Sequence, residues 1–350
     1  MAISKIGSKS ITDGSVTGDD LASGAVEGAF TNQIGGRRNL IINGAMTVAQ
    51  RGTSGTMAGD NEFLSLDRWG TRTYGGTGRF SVAQDTTVPS GQTFTKSLKA
   101  TVTTTDTSGT YGYAIKQNLE GFVVNPLRTG TSDARKSTLS FWARSSVAGT
   151  YCFSVRGTAG VASYVFEYTL AADTWTKIEH TIAKPTTTTP SWDRTNAADF
   201  LLEWSLGGQT SKQTSTTGSW HDGNYTSTSN QTDWISNSGA TFYLTGVQLE
   251  AGETATPFEH RGYGEDLALC QRYYLSQPDT NYGGAYGSGN IMIHYYFPTT
   301  MRAVPTITIS TVGGGSPANP ADFIYNWKYT RYMTGDVSVG GQNFEADAEL

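Results

Sequence analysis

Between Asn39 and about Phe258 the chain breaks into short apolar runs separated by turns rich in Gly, Asn, Asp and Thr. Ser97–Val102, Tyr111–Gln117, Leu139–Arg144, Tyr151–Arg156, Val165–Leu170, Trp175–Ile182, Phe200–Leu206 and Phe242–Leu249 read as strands. Many short strands with no helical periodicity between them predict an antiparallel sandwich. Two stretches in this region are poor in core residues, Lys184–Asn196 and Gly207–Gly239. The second is long enough to be a functional loop or a disordered one.

The first 36 residues follow a different rule. Met1, Ile6, Ile11, Val16, Leu21 and Val26 are apolar at a strict spacing of five. That matches neither the helical 3.6 nor the strand 2, so the segment cannot bury one face as an isolated element. It is a flexible tail or an arm that folds only against other chains. At the other end, Glu265–Ser276 reads as a helix, with Glu265 and Asp266 in its first turn and Arg272 in its last. Tyr263, Leu267, Cys270 and Tyr274 form its apolar stripe. Further strands are expected over Ile291–Phe297, Val304–Ser310 and Phe323–Tyr329. The expected division is an arm (1–36), a large antiparallel sandwich (37–260), a linking helix (261–276) and a smaller β-domain (277–350), an all-β chain.

Composition narrows the function. The 350 residues carry 25 Lys+Arg against 30 Asp+Glu, a net charge of −5. That excludes the electrostatic footprint of a general nucleic-acid binder. Charged residues are only 16% of the chain, below the ~25% average; Thr, Ser, Asn and Gln carry the polar surface instead. No run approaches the ~18 apolar residues of a membrane span, and no apolar block follows the first lysines as in a secretory signal. Neither membrane insertion nor export is expected. Cys152 and Cys270 could pair, but they read better as two buried thiols in a protein made in a reducing cytoplasm.

Catalytic signatures are missing. There is no phosphate loop, nucleophile elbow or HExxH helix, and His180, His221, His260 and His294 lack metal-ligand spacing. No metal site and no catalytic residue is assigned. Asp67, Glu167, Asp193 and Glu203 are available to a glycoside hydrolase, which needs two carboxylates, but read more simply as outward-facing strand or turn residues. The stronger signal is aromatic. Flat sugar faces stack on Trp and Tyr rings while neighbouring polar groups bond the hydroxyls. Trp220-His221-Asp222 with Tyr225, then Trp234, and Trp192 upstream, supply such rings where core residues are scarce. The competing reading is that these indoles cap the sandwich or bury at a subunit contact.

Ser137–Ser146 and Phe242–Glu250 are similar to segments of family 4/9/22 carbohydrate-binding jelly-roll modules. Those modules commonly carry an Asp, where Thr245 and Gly246 stand here, that helps hold a structural calcium; the departure argues against calcium. The flanks resemble bacteriophage tail fibre proteins more broadly: Arg37–Met46, Val48–Gly52 and Asp67-Arg68-Trp69 at the start, Gly246–Glu250 through Ala255–Arg261 and Leu267–Tyr274 at the junction, and Ala346–Leu350 at the end. The resemblance implies a homotrimer on the virion. Its arm (Ile6, Ile11, Val16, Leu21, Val26) would hold other tail proteins, and its body would bind a host surface polysaccharide or lipopolysaccharide. It implies no enzyme. The alternatives are a tail or capsid connecting subunit that binds other virion proteins, or a polysaccharide depolymerase.

Overall fold

The computed structural model describes residues 37–157, 162–185, 192–280, 291–312, 321–333 and 341–350. The expectation about the arm residues Ile6, Ile11, Val16, Leu21 and Val26 lies outside them. The main body is an all-β antiparallel jelly-roll sandwich of two six-stranded sheets. One sheet runs, in spatial order, β1 (Ser54–Thr56), β3 (Arg79–Asp85), β4 (Ser97–Thr104), β12 (Thr241–Ala251), β6 (Ser137–Ser145) and β9 (Thr176–Ile182). The other runs β11 (Trp220–Asp222), β8 (Ala162–Leu170), β7 (Gly149–Gly157), β10 (Ala198–Gly207), β5 (Tyr113–Glu120) and β2 (Gly70–Thr73). The pairings β12 with β4 and β10 with β5 join strands distant in sequence, the long crossovers that make a roll rather than a meander.

Strand alternation assembles the core. Phe141 on β6, Phe153 on β7, Phe166 and Tyr168 on β8 and Trp204 on β10 point inward, and Phe153 and Trp204 meet edge to face at 4.7 Å. Such aromatic pairs contribute about 0.5–1.5 kcal/mol beyond the area they bury. Cys152 and Cys270 are both free and buried, and burial pushes the Cys152 thiol up to about 11.

A smaller unit follows. Two three-stranded sheets, β13 (Tyr274–Thr280), β18 (Gly341–Asp347) and β15 (Thr306–Val312), and β14 (Ile291–Tyr296), β17 (Lys328–Met333) and β16 (Ala321–Ile324), enclose Leu275, Tyr295, Phe297, Tyr329 and Phe344. The Tyr295 and Phe344 rings stack at 4.4 Å and tie one sheet to the other. A helical turn, α1 (Gly121–Val124), closes β5, and the linking helix α2 is Tyr263–Gln271. The expected helix is therefore shifted and shorter. From Tyr274 the backbone pairs with Asp347 and Ala346 of β18, so sheet pairing overrides the helical stripe. Tyr263 is exposed, and Cys270 with Leu267 and Leu269 packs on Ile42 and Val48.

Residues of Arg37–Met46, Val48–Gly52, Asp67–Trp69, Ala255–Arg261, Leu267–Tyr274 and Ala346–Leu350 converge at this junction. Glu259 accepts the Arg38 and Asn39 amides at 3.1 and 2.9 Å, and Arg261 donates to the Ile41 carbonyl at 2.9 Å. Fully buried Arg68 pairs with Glu349 and lies 3.5 Å from the Tyr273 ring centroid. Gln50 bonds Asp67 through its amide (2.9 Å) and the Tyr274 carbonyl through its side chain (2.8 Å). These residues weld the sandwich, the helix and the terminal strand together.

Candidate functional site

The aromatic residues of the long loop divide by strand parity. In β11, Trp220 stands opposite Tyr164 and His221 opposite Ser163, so alternation sends the indole toward the core and the imidazole outward. Trp220 is half-buried; its Nε1 donates to the Ala183 carbonyl at 2.6 Å and its ring meets Trp192 at 5.5 Å and Phe200 at 6.0 Å. Trp192 is itself buried, and Trp234 is completely so, edge-on to Phe80 at 5.8 Å. Trp192 and Trp234 are therefore corrected from ligand platforms to core. Trp220 closes the sandwich end, because burying an indole outweighs leaving it in water. At the surface remain His221, stacked on Tyr225 at 5.1 Å, and exposed Asp222.

Exposed rings gather instead on the smaller unit. Tyr296 is 65% exposed, and Tyr325 and Trp327 are each 45% exposed. The rings are successive neighbours, with centroids of Tyr325 and Trp327 5.9 Å apart, Trp327 and Tyr296 6.0 Å apart, and Tyr296 and His294 6.3 Å apart. The placement is again parity. Tyr295 and Tyr329 face each other across β14 and β17 and point into the core, whereas the neighbouring pair Tyr296 and Lys328 points out. The turn between β16 and β17, closed by the Tyr325 N–H donating to the Lys328 carbonyl at 2.8 Å, lifts Trp327 alongside. The Lys328 ammonium lies 4.6 Å from the Trp327 centroid and 5.4 Å from that of Tyr325, a cation–π geometry that pins both rings. Tyr111, Phe122 and Tyr263 are exposed too, Tyr111 before β5, Phe122 in α1 and Tyr263 in α2.

A second polar surface lies on the outer face of the β11–β2 sheet. Lys116, Glu203 and Ser154 stand side by side on β5, β10 and β7, and Arg156 follows Ser154 on the same face. Glu203 pairs with Arg156 and accepts the Tyr74 hydroxyl at 2.9 Å on each oxygen. The loop after β10 folds over part of this face: Gln231 accepts the Cys152 amide at 2.7 Å, and Asn230 donates to Glu167 at 3.1 Å. Glu167 and Glu203 thus serve as hydrogen-bond anchors. Asp67 and Asp193 are not on this face: Asp67 lies in the junction, pushed up to about 6 by burial, and Asp193 donates its amide to Asp199 at 2.9 Å.

The residues do not fit a structural calcium at Thr245 and Gly246. The Thr245 hydroxyl is committed to the Lys96 carbonyl at 2.7 Å, and Gly246 brings no side chain, its φ of +61° placing it against Phe94. Among the described residues no group of three or more His, Cys, Asp or Glu could hold a metal ion, and no helix is long and apolar enough to cross a membrane.

No family model matches the chain, and no curated protein matches it. Solved structures do. The enzymatically active domain of bacteriophage CBA120 tailspike protein 4 is similar over 53% of this chain at 14% identity and a TM-score of 0.30; the match spans only 19% of that chain. A family 11 carbohydrate-binding module of a Clostridium thermocellum cellulosomal cellulase is 14% identical, with a TM-score of 0.29, over 57% of this chain and 96% of that one. The CBM22-1 xylan-binding domain of Paenibacillus barcinonensis Xyn10C is 12% identical, with a TM-score of 0.29, over 57% and 100%. These scores are too low to assign a ligand or an activity.

Proposed function

We propose that the protein is a non-enzymatic bacteriophage tail fibre or receptor-binding subunit that attaches the virion to a host cell-surface glycan. The observation that carries this reading is the exposed group of rings Tyr325, Trp327 and Tyr296, held by Lys328 and adjoined by His294. Neighbouring exposed rings offer faces for sugar stacking, and the polar groups beside them can bond hydroxyls. A site of this kind is shallow and weak alone. In a homotrimer anchored by its first 36 residues to other tail proteins, three copies would bind with avidity. The protein would be made in the host cytoplasm and act on the virion, with no cofactor. Catalysis is not part of the reading: the Glu203 carboxylate is engaged by Arg156 and by the Tyr74 hydroxyl.

The test is binding of the purified protein to intact host cells beside Trp327→Ala and Tyr296→Ala variants. Saturable binding that falls at least tenfold in the variants, with thermal stability unchanged, is the expected result. Binding that survives both changes moves receptor contact elsewhere. A folded protein that binds no host cell leaves the connecting-subunit reading in its place.

A further inference from the structure

We infer that the outer face of the β11–β2 sheet holds a second binding site, one that takes the oxyanion of an acidic sugar, a uronate carboxylate or a sugar phosphate. This goes beyond the aromatic group, which lies on the other unit, and rests on the glycan reading only for the sugar to which the oxyanion is attached.

Four cations converge there. The Tyr74 ring has the Arg72 guanidinium 4.9 Å from its centroid, the Lys212 ammonium at 5.0 Å and the Arg156 guanidinium at 5.9 Å. Lys116 stands one strand from Glu203 and reaches 4.9 Å from the Phe63 centroid. The carboxylates opposing them are Glu203, 4.0 Å from Arg72 Nε, and exposed Asp60 at 3.9 Å from the same nitrogen; the Arg68–Glu349 pair also acts on Lys116 but adds no net charge. Four positive charges against two negative leave an excess of two in a place where Lys116 and Arg156 are almost wholly buried. Like charges at low dielectric repel strongly unless something compensates them. The strain is visible in the groups themselves: burial and then Arg72 push Lys116 down to about 8, and burial and then Arg156 lower Lys212.

Hydrogen-bonding capacity is also left over. Arg156 Nε, Arg72 Nε and Ser154 Oγ are buried and make no hydrogen bond, although buried donors are nearly always satisfied. Two guanidinium Nε–H groups and a hydroxyl are donors that suit an anionic oxygen of a carboxylate or a phosphate. At the rim, Arg156 Nη1 donates to Asn224 at 2.5 Å, and the stacked Tyr225 and His221 adjoin it, polar and aromatic groups suited to the ring that bears the oxyanion. The net charge of −5 argues against a long polyanion, which a globally acidic body repels.

The experiment titrates the full chain at pH 7 with glucuronate, glucose 6-phosphate, inorganic phosphate and glucose. Lys212→Glu and Arg72→Gln are run in parallel, with Lys177→Glu on the opposite sheet as control. Both test residues are partly exposed, so the fold should survive. At least one acidic sugar should bind ten times more tightly than glucose, and Lys212→Glu should weaken it at least tenfold while Lys177→Glu leaves it unchanged. Glucuronate against glucose 6-phosphate distinguishes carboxylate from phosphate. Affinity should fall from pH 7 to pH 9 as Lys116, faced by Arg72, Arg68, Glu203, Glu349 and Asn61, loses its proton. Glucose binding as tightly as the acids, or acid binding untouched by both variants, overturns the inference. Inorganic phosphate matching the sugar phosphate overturns its sugar component. Trp327→Ala should leave this binding intact, so loss of cell attachment in that variant and loss of acid binding in Lys212→Glu report on separate readings.

Discussion

Replacing Glu349 by Gln tests whether the junction is an electrostatic weld. Glu349 is 5% exposed and its partner Arg68 is 0% exposed; its other oxygen lies 3.3 Å from Arg51 Nη1. Without the carboxylate, Arg68 keeps the Asn118 carbonyl and the face of Tyr273, but it is a buried cation with no countercharge. Removing one partner of a buried pair costs about 3–5 kcal/mol, most of it the desolvated charge left behind. Gln still presents an acceptor, so the low end applies, about 3 kcal/mol. At about 2–4 °C per kcal/mol for domains of 150–250 residues, the midpoint should fall by about 6–12 °C. Asp347→Asn is the internal reference, because Asp347 is 47% exposed in its 3.1 Å pair with Arg51 and a surface pair is worth ~0–1 kcal/mol. Urea unfolding and calorimetry read both variants. The combined Arg68→Met, Glu349→Leu protein should recover much of the loss, since apolar replacement of both partners removes the stranded charge. A Glu349→Gln protein within 1 kcal/mol of wild type, or no worse than Asp347→Asn, refutes the reasoning.

Trp234→Ala should cost about 3–5 kcal/mol in urea unfolding, because the ring fills the core against Phe80; a loss below ~1 kcal/mol would mean that the ring packs nothing. Gly44→Ala should cost more than ~2 kcal/mol or abolish folding, since a Cβ there would stand 2.2 Å from the Val247 carbonyl oxygen; a soluble variant of wild-type midpoint would contradict that approach. Stability should also peak in mild acid, read from urea midpoints between pH 3 and 8. Burial raises Asp67 to about 6 and Asp199 to about 7. The folded state therefore binds these protons more tightly than the unfolded chain, and stability rises as pH falls from about 7 toward 5. Asp85, Asp106 and Glu259 are shifted down, burial being outweighed by their hydrogen bonds and, for Asp85 and Glu259, nearby cations, so the stability they supply is lost as pH drops below about 4. Asp67→Asn should flatten the slope above pH 5, and an unchanged slope would show that Asp67 is not its source.

The sandwich is legible in sequence because eight of its twelve strands carry their own signal, whereas β1, β2, β3 and β11 do not read as strands. The runs from Ser97 to Leu249 needed no distant information to be seen as strands, and eight of them became β4 to β10 and β12. What local patterns cannot carry is the identity of a neighbour. The helix expected over Glu265–Ser276 stops at Gln271 because Tyr274 and Leu275 have strand partners more than seventy residues away in β18. Arg68 and Glu349, which meet in the fold, are 281 positions apart. The burial of the candidate indoles was not legible for a related reason. Aromatic density located Trp192, Trp220 and Trp234 where core residues were scarce, but density does not decide exposure. Pairing does: register opposite Tyr164 turns Trp220 inward and puts His221 outside, while the same rule across β14 and β17 buries Tyr295 and frees Tyr296. The long loop is poor in aliphatic residues because its few indoles do the work of a core, closing the open end of the roll against Phe200 and Phe80. The outer-face cations were hidden in the opposite way. Lys116, Arg156 and Glu203 occupy the alternate positions of strands already recognised, and only the register sets them side by side on one face.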